Sequence, residues 1–81
     1  MKHYVVILDW ATEDDSGVQI KGVTHTLDDA KKIFNQRISE EIQFAKNNNY
    51  IIGTNDETEF EAFEDGYYAA EHTLLYIEEV E

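Results

Sequence analysis

The side chains best suited to moving a proton near neutral pH are three histidines, His3, His25 and His72, because imidazole ordinarily titrates in that range. Their spacing builds no site. Neither H-x-x-x-H nor H-E-x-x-H occurs, and a transition metal needs three or four converging ligands. There is no cysteine, so thiolate ligands and disulfides are excluded. The two serines, Ser16 and Ser39, fall in a turn and beside Glu40 on a helix, which allows no Ser–His–Asp arrangement. Asp14-Asp15-Ser16-Gly17 and Asn55-Asp56-Glu57 concentrate carboxylates that attract Ca²⁺, but neither has the alternating twelve-residue pattern of a calcium loop. Turn chemistry explains both. No glycine-rich phosphate loop is present. The expectation is a protein without cofactor or metal that is not an enzyme.

Charge is the stronger signal. Eighteen acids against six bases leave a net charge of -12. Residues 1–46 contain all the lysines and the arginine and are nearly balanced, whereas residues 47–81 hold ten acids and no base. With no basic stripe to displace counterions, direct binding to nucleic acid is disfavoured. Anionic membranes are disfavoured for the same reason. A basic protein surface is the favoured partner.

At 81 residues a single domain spanning 1–81 is expected, with a small core. A hydrophobic fraction of 42% is that of a folding chain rather than an acidic tail. No basic leader precedes an apolar stretch, so no signal peptide is expected. The longest apolar run, Tyr4 to Leu8, is far short of a membrane span. A cytoplasmic location follows as an expectation.

The positioning elements read as β-β-α-β-β-β. His3 to Trp10 is a β-branched and aromatic run expected of an inner strand. Glu13 to Gly17 supplies a turn, and Val18 to Thr24 returns as the second strand of a hairpin. Thr26 is placed to cap a helix, with Asp29 three residues on to reciprocate. From there Leu27, Ala30, Phe34, Ile38, Ile42 and Ala45 form one stripe flanked by Ile33 and Phe44. Asn47-Asn48-Asn49 stops it. Tyr50 to Gly53 and Thr58 to Phe63 read as short strands. Asp65-Gly66 is the preferred dipeptide of a type I′ turn, which predicts Phe63 opposite Tyr68, Glu61 opposite Ala70 and Glu59 opposite His72. The last strand is expected over 67–77, with a bulge at Ala69-Ala70.

This is an α+β fold: an antiparallel β-sheet with one amphipathic helix packed on one face. One helix covers one face only. Leu8, Trp10, Phe63, Tyr68, Leu74 and Tyr76 cannot all lie beneath it, so the other face carries aromatics among carboxylates. Glu59, Glu61, Glu64, Asp65 and Glu71 would supply charge there, with Tyr68 and Tyr76 supplying contact area. The expected function is a small acidic binding module that presents this sheet to a basic partner, in its sharpest form imitating nucleic-acid charge. The alternative is a homo-oligomer, such as a homodimer, that buries the second face and encloses a small ligand. In size, charge and simplicity the chain resembles short acidic proteins of phages and mobile elements, a likeness that assigns no residue a role.

Overall fold

The computed structural model describes residues 1–66 and 71–81. Its elements are β1 (His3–Ala11), β2 (Ser16–Thr24), α1 (Leu27–Asn47), β3 (Ile51–Asn55), β4 (Glu59–Phe63) and β5 (His72–Val80). The five strands form one sheet in the order β2-β1-β5-β4-β3, with every neighbouring pair antiparallel. The two most apolar runs therefore lie inside the sheet, with β5 central and β1 beside it.

Local chemistry sets the ends of the helix. Thr26 has extended backbone angles, and its Oγ1 accepts a hydrogen bond from the Asp29 N–H at 3.2 Å, which satisfies one of the free donors of the first turn. The Asp29 carboxylate turns instead to Lys32, 3.7 Å away. At the other end Asn49 adopts a positive φ of 58°. The Tyr50 N–H then donates to the Ala45 carbonyl at 2.9 Å, and the Asn49 N–H to Lys46 at 3.2 Å. This paired pattern closes a helix through a left-handed residue. The usual apolar contact accompanies it: the Phe44 and Tyr50 rings meet edge to face, 5.7 Å apart.

Because α1 follows the edge strand β2 and leads into the opposite edge strand β3, it must cross the whole sheet. It lies on the face that carries Val6, Leu8, Phe60, Ala62 and Leu75, and its own Ala30, Phe34 and Ala45 complete the buried core. Ile33, Ile38 and Ile42 pack at the margin of that core. The approach over β2 is close: a Cβ at Gly22 would stand 2.6 Å from Ile33 Cδ1. Leu27 and Phe44, at the ends of the stripe, remain exposed.

Two irregularities mark the edges. Lys21 is an extra residue in β2, between the pairs Val6–Gly22 and Ile7–Ile20. Gly53 is the extra residue in β3, between Ile52–Ala62 and Thr54–Glu61.

The β4–β5 register differs from the sequence expectation. Phe63 pairs with His72, Glu61 with Leu74 and Glu59 with Tyr76, four positions away from a two-residue turn at Asp65-Gly66. A type I′ turn needs a positive φ at both central residues. Asn49 is the one non-glycine residue with a positive φ among the described residues, so Asp65 does not form that turn. The connection is longer, and its first bond runs from the Glu64 N–H to the Glu71 carbonyl at 2.9 Å. Ala69 and Ala70, the expected place of a bulge, lie outside the described residues.

Two substitutions measure this core. Phe34→Ala, which empties a fully buried site, is expected to cost about 3–5 kcal/mol, and the cap variant Thr26→Ala about 1 kcal/mol. Urea unfolding should rank them in that order.

Candidate functional site

Strand alternation and register fix what the uncovered face displays. Residues directly opposite in an antiparallel pair project to the same side. Opposite the helix, β2 therefore presents Val18, Ile20 and Val23, β1 presents Val5, Ile7, Asp9 and Ala11, and β5 presents His72, Leu74, Tyr76 and Glu78. β4 adds Glu59, Glu61 and Phe63, and β3 adds Ile51 and Thr54. Val18, Ile20 and Val23 are 65%, 67% and 59% exposed, more than solubility alone would favour for β-branched side chains in a strand. Ile7 sits at the centre of this surface and is nearly buried by its neighbours.

The aromatics anticipated on two faces are now assigned. Leu8 and Trp10 lie on the helix side, where they join or pack against the core. Phe63, Leu74 and Tyr76 lie on the uncovered side. Tyr68 is outside the described residues. Glu59 and Glu61 flank Tyr76 and Leu74 across the β4–β5 ladder. Glu64 and Asp65 leave β4 at the start of the loop.

Glu71 has a structural role as well. Its carboxylate accepts a hydrogen bond from the Tyr50 hydroxyl at 2.8 Å, and its N–H reaches the Glu64 carboxylate at 3.4 Å. The tyrosine that closes the helix thus also ties down the end of the β4–β5 connection. Burial, the hydrogen bond to Glu71 and the negative charges of Glu71 and Glu64 together push the Tyr50 hydroxyl up to about 12.

His72 does not meet Glu59, as the short turn would have required; its Nε2 lies 3.1 Å from Asp9 Oδ1. An ionised carboxylate can only accept, so Nε2 carries the donated proton. This pair spans β1 and β5 at one end of the sheet. The His3 and His25 rings meet 5.0 Å apart at the other end, where His3 pairs with Val80. The three histidines therefore do not converge. Among the described residues no three His, Asp or Glu side chains gather as a metal site. The acidic segments are turns: Asp15 Oδ1 accepts the Ser16 N–H at 2.8 Å. Asp56 Oδ1 accepts those of Thr58 and Glu59, both at 2.9 Å. The two Asp56 bonds hold its carboxyl below the usual range.

A second surface feature lies on the helix side. α1 starts over β2 and finishes beside β3, leaving the corner of the sheet at Trp10 and Gly17 uncovered. A groove of about 460 Å³ opens there between the second half of the helix and β1. The indole of Trp10 crosses Gly17 so closely that three ring atoms would stand 3.0–3.1 Å from a Cβ at that position. Sequence spacing carries no sign of this groove, because it depends on the crossing angle of the helix.

Comparison of the chain with protein-family models, with curated proteins and with solved structures returns no match. Among the described residues no helix is long and apolar enough to cross a membrane.

The Tyr50–Glu71 tie sets a pH limit. A tyrosine whose pKa is raised on folding stabilises the fold fully below its unfolded value of 10.0, and that contribution is lost as pH climbs towards about 12. Absorbance titration at alkaline pH should show a late phenolate step that is missing in Tyr50→Phe and moves down in Glu71→Gln.

Proposed function

We propose that the chain is a non-enzymatic, cytoplasmic protein-binding module whose uncovered sheet face docks on a basic protein surface. The observation that carries this reading is the pairing of apolar and acidic groups on that face. Ile7, Leu74 and Tyr76 lie on its inner strands and Phe63 at one end, with the carboxylates of Asp9, Glu59, Glu61 and Glu78 interspersed among them. None of the paired positions on this face is lysine or arginine. Aromatic and aliphatic side chains give such a face contact area, and the carboxylates set among them give it charge selectivity.

Negative charge on that face steers a basic partner and disfavours acidic ones. A chain of net charge -12 presenting carboxylates along β4 can imitate the field of a nucleic-acid backbone at a basic site. Glu64 and Asp65 would extend that field beyond the strand.

Binding of this kind weakens with salt, since exposed charges are screened within about 10 Å at 0.1 M. The immobilised chain is expected to retain a basic partner from lysate at low salt and release it at high salt. Glu59→Lys/Glu61→Lys should abolish that retention, while Glu13→Lys/Asp14→Lys on the β1–β2 turn should not. Equal retention by both variants, or none by the parent chain, contradicts the proposal.

The exposed Val18, Ile20 and Val23 support a second reading, self-association through the β2 side of the same face. Repulsion between two chains of this charge opposes it. Light scattering at high micromolar concentration separates the two readings: a monomer removes self-association, and a dimer that Ile20→Asp dissociates supports it.

A further inference from the structure

We propose that the groove beside Trp10 binds a small organic cation, an ammonium or guanidinium carried on an apolar body. The groove opens on the helix side of the sheet and reaches the end of the sheet at Ala11 and His72. Its volume, about 460 Å³, falls within the range of about 300–1,000 Å³ typical of small-ligand pockets. Leu8, Trp10 and Phe44 supply apolar walls, and Glu40 and Glu41 line it from the helix. No lysine or arginine contributes to the lining.

The two carboxylates select the charge. Neither Glu40 nor Glu41 forms an ion pair among the described residues. Glu41 is held in place by the buried Thr73, whose hydroxyl donates to Oε2 at 2.9 Å. An ionised carboxylate offers roughly four acceptor positions, and this bond occupies one. His72 also lines the groove, but its Nε2 is committed to Asp9. A cation entering the groove would therefore meet unneutralised acceptors beside an indole and a phenyl ring, groups that attract cations through their ring quadrupoles. An anion would be repelled by both carboxylates, and a neutral molecule would forgo the charge attraction.

Trp10 is the one tryptophan of the chain, so intrinsic fluorescence reports on this groove directly. The probes are 2-phenylethylamine, its neutral analogue 2-phenylethanol and the anion phenylacetate. The amine should change Trp10 emission saturably, at concentrations about tenfold or more below those the alcohol needs, as a charge-assisted hydrogen bond implies. Phenylacetate should produce no saturable change. Glu40→Gln/Glu41→Gln should weaken the amine about tenfold and leave the alcohol unaltered. The Glu41→Gln change keeps a carbonyl oxygen for the Thr73 hydroxyl, and an unchanged ligand-free spectrum checks the fold. Glu59→Gln/Glu61→Gln removes the same charge from the opposite face and should alter amine binding by less than about twofold. In the parent chain, amide shifts on adding the amine should cluster at Trp10, Phe44 and Thr73. The proposal is overturned if the amine and alcohol bind equally, if both double variants lose the amine alike, or if the shifts fall on the uncovered face.

Discussion

A single helix crossing a five-stranded sheet from one edge to the other is the constraint on which the rest of this molecule depends. The helix must leave β2 and enter β3, the two outer strands, so its path is diagonal and its apolar stripe meets every inner strand. That stripe spends nearly all of its burial on one side. Val6, Leu8, Phe60 and Leu75 disappear beneath Ala30, Phe34 and Ala45, while the side chains alternating with them are left in solvent or shield one another. The uncovered face and the open corner at Trp10 are both consequences of having one covering element for two faces.

Charge follows the same geometry. The basic residues all belong to residues 1–46, and in the folded chain several are drawn into pairs along or around the helix side. Lys31 reaches Glu57 at 3.3 Å, Lys32 reaches Asp29 at 3.7 Å, and Lys2 reaches Glu79 at 3.1 Å. Exposed pairs of this kind contribute only about 0–1 kcal/mol each. Their larger effect is on the map of the surface. Two of them join the balanced first half to acids of the second, which leaves the carboxylates of β4 on the opposite face without a basic residue among their paired positions.

Much of the fold was legible in the sequence. Period-two alternation in β1 and β4, the cap at Thr26, the helical stripe and the asparagine stop all survive in the structure, because each is decided by neighbours a few residues away. Counting faces showed that the large apolar side chains must divide between two sides, but which ones fall opposite the helix, Phe63, Leu74 and Tyr76, came only with the strand register. The β4–β5 register was not legible, because Asp65-Gly66 carries a strong local turn signal and the actual connection is fixed by Glu64 and Glu71. The Asp9–His72 pair joins residues far apart in the chain and required the β1–β5 pairing, which no local pattern specifies. Trp10 has the residue type of an interface aromatic, yet Gly17 across the ladder leaves just enough room for its ring on the helix side.

The bulges at Lys21 and Gly53 have a consequence for the fate of the molecule in a crowded solution. A sheet with free outer strands can recruit further strands side by side, copy after copy, into fibres. Here each outer strand carries an extra residue that breaks the regular spacing of its unpaired donors and acceptors and increases the local twist. A second chain laid alongside would find only a few residues in step before the hydrogen-bonding pattern failed. The exposed valine and isoleucine lie on a face of the sheet, while the bulges disfavour regular pairing along its edges.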